Sequence, residues 1–350
     1  MRSFITRFFL ITIIFSLIIF SRPNLVFSQE EATETDENLT KEFIAQGPFN
    51  YRTQSPIYLL FFMPKAQRAK TIGANHFKIG YSISYANNYE TDDSPTGFSA
   101  TFDFESLRSA IDASYGITDW LEVALEIPFI HHQGGHFDNF LQDYHDAFNF
   151  PNGGRDLVSN GVHQYFVSYN GIDFYRVNPT DYEIGDINLS LKLNAIKEAK
   201  AIPAISFFGG IKFPTGHVSE GVGSGRFDGT FGMAVEKSIN RFHFYGNIYG
   251  VFIQEPNPLK MIVDGEMFGG MFGGEVTFLK RFAALVQVQG NSDPFITTGV
   301  KYFDNGVLDI VFGFKARDLL WIDWELAMQQ NLITASSNDV AIHFGVSKTF

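Results

Sequence analysis

The chain has 350 residues, a net charge of −12 and no cysteine. The absence of cysteine excludes disulfide scaffolds, thiolate metal sites and cysteine nucleophiles. The acidic balance argues against nucleic acid as a partner, because phosphate binding needs clustered Lys and Arg. Charged residues make up 18% of the chain and aromatic residues 16%, which suits a surface that faces lipid, since soluble domains carry roughly 25% charged residues.

Residues 1–28 are predicted to be a signal peptide. Arg2 and Arg7 precede the uncharged run Phe8–Phe20, which has the length of a signal-peptide apolar region and is too short for a transmembrane helix of about 20 residues. We expect cleavage after Ser28, with an uncleaved anchor as the alternative. Residues 29–46, acidic and polar at their start, are predicted to form a disordered tail.

Residues 47–74 contain the apolar run Ile57–Met63, which shows no clear alternation. Two interpretations stay open. The segment is either an extra strand or periplasmic cover, or a plug threaded into the lumen of a barrel, because a barrel of about twelve strands has an interior that must be filled or gated.

Residues 75–350 follow a period of two. In Glu183–Ile196, for example, Leu189 and Leu191 alternate with Ser190 and Lys192, which indicates a strand with one apolar and one wet face. The fold class is therefore all-β. We predict about twelve strands, with fourteen as the alternative if Pro294–Phe303 contributes one and a further strand joins it. The predicted strands are His76–Tyr89, Thr101–Tyr115, Trp120–Ile130, Glu183–Ile196, Ile202–Phe213, Arg226–Lys237, Phe242–Ile253, Met267–Leu279, Phe282–Gly290, Val307–Ala316, Leu320–Gln329 and Asn338–Phe350.

Three features favour a transmembrane antiparallel β-barrel over a secreted sandwich. The predicted strands have about 10 to 14 residues, enough to cross a bilayer at a tilt. Short turns alternate with long loops, as in outer-membrane barrels. The chain ends on Phe350, in phase with the apolar face of its last strand, and a terminal Phe of this kind resembles the insertion signal of Gram-negative outer-membrane barrels.

Residues 131–182 form one long connection, predicted to be extracellular. Phe137–Phe148 has apolar residues at helical spacing and is predicted to be an amphipathic helix. Val162–Val177 contains Asn170-Gly171 between aromatic-rich arms, a strong hairpin signal. A connection of this length is usually functional or disordered, so we expect a lid or a constriction here.

Four histidines of this connection, His131, His132, His136 and His145, are weak candidates for a divalent metal site. Their spacing matches no familiar zinc motif. We therefore expect ordinary loop histidines, and neither a metal nor another cofactor is predicted.

The hairpin of the second and third strands carries the best group of inward charges. If Tyr115 pairs with Leu121, Arg108 and Asp112 share the inner face with Glu122 and Glu126. A pair of carboxylates can act as general acid and base, but charges inside a barrel far more often line a pore and set its ion preference. No catalytic residue is predicted, and the predicted pore-lining residues are Arg108, Asp112, Glu122, Glu126, Lys192 and Lys212.

Several short motifs resemble those of a known family. They are Gly47-Pro48-Phe49, Gln54-Ser55-Pro56, Asp103-x-Glu105, Leu107-Arg108, Tyr115–Asp119, Gly134-Gly135, His145-Asp146, Gly185-Asp186, Lys212–Gly216 and Gly223–Gly225. The chain in this respect resembles an uncharacterised outer-membrane β-barrel family of Gram-negative bacteria. Its Gly-Asp strand and Lys-x-Pro-Thr-Gly turn are also similar to transporter-like barrels of aromatic-degradation pathways. The resemblance implies an outer-membrane barrel over about residues 47–350 and implies no catalytic residues.

The sequence favours an outer-membrane channel or passive transporter for small solutes. The alternatives are an outer-membrane enzyme that acts on lipid or peptide through the His-rich loop, and a structural surface protein. The expected partners are outer-membrane lipid and lipopolysaccharide, the barrel-assembly machinery and small solutes.

Overall fold

The computed structural model describes residues 43–135, 160–333 and 336–350. His136, His145 and the predicted helix Phe137–Phe148 lie outside these residues. The described part consists mainly of strands, with short 3₁₀ turns at Ile57–Leu60, Val218–Glu220 and Asn257–Leu259 and one α-helical turn at Lys301–Asp304. The strands are β1 Phe77–Asp93, β2 Phe98–Gly116, β3 Leu121–Gln133, β4 Gln164–Tyr169, β5 Ile172–Arg176, β6 Glu183–Ile184, β7 Asn188–Ile196, β8 Ala204–Lys212, β9 Asp228–Ile239, β10 Phe242–Ile253, β11 Glu266–Phe278, β12 Phe282–Asn291, β13 Val307–Leu319, β14 Ile322–Asn331 and β15 Val340–Thr349.

Twelve of these strands close into an antiparallel barrel. β1, β2, β3 and β7 to β15 pair in that order, and β15 pairs with β1 to complete the ring. The predicted all-β barrel of about twelve strands is therefore confirmed, and the alternative of fourteen is wrong. Pro294–Phe303 forms no barrel strand, because it contributes a single bridge from Phe295 to Val263 and then enters the helical turn.

The predicted strand Glu183–Ile196 is interrupted between β6 and β7. A Cβ on Gly185 would lie 3.0 Å from Val222 O, so a larger residue here would fit only if the neighbouring loop shifted. The carboxylate of Asp186 accepts hydrogen bonds from the backbone N–H groups of Gly216 and Ser224 at 2.8 and 2.9 Å. These hydrogen bonds connect the interruption to the loop between β8 and β9. Local alternation in the sequence could not indicate such contacts.

The two faces of the barrel wall differ as the alternation predicts. Large apolar side chains such as Ile248, Phe268, Phe272 and Phe314 point outward and are more than half exposed. Polar and charged side chains alternate with them and are buried inside. Among the described residues, no helix has the length and apolar character needed to cross a membrane.

The two ends of the barrel also differ, and we call them the short-turn end and the long-loop end. At the short-turn end, two-residue turns join β9 to β10 and β13 to β14, and Phe350 N donates to Phe77 O at 2.7 Å. At the long-loop end, the β4–β5 hairpin lies beside the extension of β2. Its turn residues Asn170 and Gly171 have φ values of 49° and 77°, which confirms the Asn-Gly hairpin.

The register between β2 and β3 differs from the predicted one by two residues. Tyr115 pairs with Val123 rather than with Leu121. Since side chains alternate with a period of two, a shift of two residues keeps every side chain on its predicted face. Asp112 consequently lies directly opposite Glu126.

Residues 43–76 run inside the barrel, and we call them the luminal segment. The chain rises from the short-turn end, turns at Ile57–Leu60 near the long-loop end, and descends to enter β1 at Phe77. Almost all of its residues from Ala45 to Met63 are buried. Before Asn75 the segment pairs with wall side chains rather than with strand backbones, and only Asn75 and His76, next to β1, form backbone hydrogen bonds with Gly116 of β2.

Candidate functional site

The ascending limb of the luminal segment is held by its backbone. The N–H groups of Gly47 and Phe49 donate to Glu275 Oε2 at 3.0 Å and to Gln287 Oε1 at 2.9 Å. Lys315 Nζ donates in return to Gly47 O at 3.0 Å. Polar wall side chains thus satisfy a buried backbone that has no strand partner, as buried N–H and C=O groups require.

The apex of the segment fills the long-loop end of the lumen with apolar side chains. Tyr58 contacts Phe295 edge to face, with ring centroids 5.6 Å apart, and Ile57 N donates to the Tyr302 hydroxyl at 3.0 Å. Phe102 of β2 packs on the same Tyr302 ring at 4.5 Å. The apex, the wall and the loop between β12 and β13 therefore share one apolar cluster.

A buried lysine joins the apex to the wall. Lys212 Nζ donates to Leu60 O at 2.8 Å and to the Asp186 carboxylate. It also lies 3.2 Å from Asp228 Oδ2, which accepts from Phe62 N at 2.9 Å. Lys212 is fully buried, and its ammonium group is the shared partner of the two carboxylates, Asp186 and Asp228.

The descending limb is held by ion pairs. Lys65 Nζ lies 2.6 Å from Asp112 Oδ1 on β2 and 2.6 Å from Glu126 Oε2 on β3. Glu126 also contacts Arg108 of β2 and, at 3.5 Å, Arg52 of the ascending limb. The face that the sequence predicted to carry charges is therefore completed by cations from the luminal segment.

Nearer the short-turn end, Arg68 and Lys70 continue the same pattern. Arg68 Nη2 lies 2.5 Å from Glu236 Oε1 on β9. Lys70 Nζ lies 2.6 Å from Glu198 in the β7–β8 turn. In contrast, Lys192 pairs at 3.1 Å with Glu122, which is another wall residue.

A cavity of about 490 Å³ lies beside the segment in the half of the lumen nearest the short turns. Its size is within the range of small-molecule sites. Its walls are partly polar and partly apolar, and it reaches the rim of the barrel at Lys78 and Thr349. The charged residues deeper in this cavity include Lys65, Asp112, Glu122, Glu126, Lys315 and Glu325.

The six predicted pore-lining residues all lie on the inner face, but in three separate groups. Asp112 and Glu126 contact Lys65, and Arg108 contacts Glu126, whereas the Glu122–Lys192 pair and the Lys212 cluster stand apart. Sequence reasoning missed the partners from the luminal segment. The available signal was that residues 43–76 carry Arg52, Lys65, Arg68 and Lys70 but no acidic residue.

The described histidines of the long connection differ from the expected surface residues. His132 is fully buried at the end of β3, its ring lies 5.2 Å from Phe104, and its Nε2 lies 3.2 Å from Gly221 O. His131 points to the other face and stacks on Tyr182 at 5.2 Å. Within residues 43–135, 160–333 and 336–350, no group of three or more His, Cys, Asp or Glu could hold a metal ion.

The model of a family described as "Protein of unknown function (DUF3187)" matches residues 32–350. The chain belongs to this family. A comparison with curated proteins found no match.

The structure is similar to that of an outer membrane channel from Pseudomonas putida F1. The two chains are 10% identical, the match covers 81% of this chain and 98% of the other, and the TM-score is 0.54. The CymD monoaromatic hydrocarbon channel, also 10% identical, matches over 86% of this chain and 98% of its own with a TM-score of 0.37. At 10% identity, the likeness to the P. putida channel shows a shared fold and nothing more. The match to CymD has a TM-score below 0.5, and no conclusion is drawn from it.

Proposed function

We propose that the protein is an outer-membrane channel or passive transporter for small solutes, with the luminal segment as its gate. The outward apolar belt supports a location in lipid. The short turns at one end and long loops at the other match the periplasmic and extracellular sides of such barrels. The predicted signal peptide and the fold shared with an outer membrane channel are consistent with this location.

The observation that carries the proposal is the way the lumen is filled. The obstruction is one continuous segment, joined covalently to the wall through β1. Apart from backbone hydrogen bonds of Asn75 and His76 next to β1, it is held by side-chain contacts. The wall keeps its own closed ladder of hydrogen bonds. The segment can therefore shift without opening the barrel, and its movement would extend the 490 Å³ cavity toward the long-loop end.

The gate can be tested by locking it. Ser55, next to the apex, donates through Oγ to Ser336 O in the loop between β14 and β15 at 2.7 Å. The chain has no native cysteine, so the double variant Ser55→Cys/Ser336→Cys is designed to join the segment to this loop. In planar bilayers we expect the reduced variant to conduct and the oxidised variant to stay closed. The single variants Ser55→Cys and Ser336→Cys serve as controls for oxidation itself.

The two parts of the proposal fail in different ways. Equal conductance of the reduced and oxidised double variant would contradict the role of the luminal segment as a gate, while the channel function would still stand. The channel function itself would be contradicted if neither the wild type nor the reduced variant conducted and if liposomes containing them took up no solute. No contact among the described residues specifically favours the enzymatic or the structural alternative.

A further inference from the structure

The luminal segment is a basic stretch in an acidic protein. Residues 43–76 contain Arg52, Lys65, Arg68 and Lys70 and no Asp or Glu, while the chain as a whole has a net charge of −12. The partners of these cations are carboxylates of the wall and of one short turn. The charge of the lumen therefore depends on whether the segment is in place.

The ion pairs of the lumen fall into two classes. Glu122 with Lys192 at 3.1 Å and Glu325 with Lys315 at 3.0 Å are pairs within the wall, and they remain when the segment moves. Asp112 has its ion pair with Lys65, and Glu236 has its ion pairs with Arg68 and Lys70, all of which belong to the segment.

Glu126 belongs to both classes. It contacts Arg108 of the wall, but Lys65 and Arg52 of the segment also pair with it. Withdrawal of the segment therefore leaves Glu126 with one cation and removes the cations next to Asp112 and Glu236. The lumen gains uncompensated negative charge, and the low-dielectric wall around it focuses the field of that charge into the lumen.

The freed carboxylates lie at similar depth. Asp112 is close to the end of β2 at Gly116, and Glu236 is close to the end of β9 at Ile239, so both are near the short turns. Carboxylates arranged around a lumen favour the entry of cations and repel anions. Lys65 and Arg68 show in addition that an ammonium and a guanidinium group fit here at 2.6 and 2.5 Å from carboxylate oxygens.

We propose that the open lumen selects cations, and that organic cations with an ammonium or guanidinium group are the solute class that exchanges with Lys65 and Arg68 of the luminal segment. This inference rests on the proposed channel function. The segment then closes the channel with the same chemical groups that the solute carries. Neutral and anionic solutes lack the charge that would compensate Asp112, Glu126 and Glu236.

The first test measures ion selectivity in planar bilayers. Under a KCl gradient, the reversal potential of the open state should show preference for K⁺ over Cl⁻. The triple variant Asp112→Asn/Glu126→Gln/Glu236→Gln should lose most of this preference. Asp318→Asn removes the same kind of charge at the exposed rim and should leave the preference unchanged. Conductance with anion preference, or an equal effect of Asp318→Asn, would overturn the inference and leave the channel function standing.

The second test needs no conductance. Lys65→Ala vacates the position between Asp112 and Glu126, and we expect a lower melting temperature in detergent. Ethylammonium should restore part of this loss, because a ligand that binds only the folded state stabilises it. Ethanol and an equal concentration of NaCl should not. Rescue by NaCl to the same extent, or no rescue by ethylammonium, would show that the vacated lumen does not take up organic cations, whatever the conductance measurements give.

Discussion

Lys65 of the luminal segment and Glu126 of β3 form an ion pair in which Nζ and Oε2 are 2.6 Å apart. Both side chains are about nine-tenths buried. The same ammonium lies 2.6 Å from Asp112 on β2, so one residue fastens the descending limb to two neighbouring strands. A buried carboxylate that loses its partner keeps its desolvation cost, which makes this contact important for the folded state.

We expect Lys65→Ala to reduce the free energy of unfolding by about 3 kcal/mol, because it leaves Asp112 without its cation and Glu126 with fewer. The change can be measured by urea unfolding in detergent, followed by tryptophan fluorescence. Lys348→Ala, on the exposed outer side of β15, is the matched control and should change stability by less than about 0.5 kcal/mol. Equal effects of the two variants would mean that the buried ion pairs of Lys65 stabilise the folded protein no more than an exposed lysine does.

Lys212→Met should destabilise the protein by about 3–5 kcal/mol, since it leaves the carboxylates of Asp186 and Asp228 buried without a cation. Because Lys212 also donates to Leu60 O, the variant should open more often in planar bilayers. Adding Asp186→Asn to Lys212→Met should recover part of the stability, because one of the two unpaired charges is then removed. A double variant less stable than Lys212→Met would contradict this account.

The period of two was sufficient to predict the twelve barrel strands and the faces of their side chains, but not the interruption of the predicted strand Glu183–Ile196. It was insufficient for register, because a shift of two residues preserves the pattern: Tyr115 was assigned to Leu121 and pairs with Val123. The turn between β2 and β3 decides this register through Ile117 N, which donates to Leu121 O at 2.9 Å. Such a turn bond depends on backbone geometry that residue types alone do not specify.

The sequence could not decide whether residues 47–74 form an extra strand or periplasmic cover, or instead a plug in the lumen. Their contacts are long-range and are made to side chains, as when the N–H of Gly47 donates to Glu275 on β11. No local period records contacts of this kind. The absence of acidic residues from 43–76, set against the acidic residues of the predicted inner face, was the one sequence feature that pointed to a lumen lined with carboxylates.

The outward belt leads to a test of the membrane location. Phe272 lies on the outer face of β11 and is 65% exposed, so Phe272→Lys should cost about 2–4 kcal/mol of stability in liposomes if this face meets lipid near the bilayer centre. Leu320→Lys, in the short turn between β13 and β14, is the control and should have little effect. If both variants fold into liposomes as well as the wild type, Phe272 does not face the hydrocarbon.

His163 links the long-loop end to pH. Burial lowers the pKa of its imidazole to about 4, and its ring lies 5.6 Å from Phe104 beside the β4–β5 hairpin. In the unfolded chain the pKa is about 6.5, so the unfolded state takes up a proton before the folded state does. The stability that neutral His163 provides is therefore fully present above pH 6.5 and is lost as the pH falls toward 4.

We accordingly expect the melting temperature of the wild type to fall more between pH 7.5 and 4.5 than that of His163→Gln, which cannot titrate. The protection factors of the amides in Gln164–Arg176, which are corrected for the slower intrinsic exchange in acid, should also fall in the wild type, because a protonated His163 weakens the packing next to this hairpin. His76→Gln, a change at an exposed histidine, serves as the control and should leave the pH dependence of the wild type intact. Parallel melting curves for the wild type and His163→Gln over this range would show that His163 stays neutral, or titrates alike, in the folded and unfolded states.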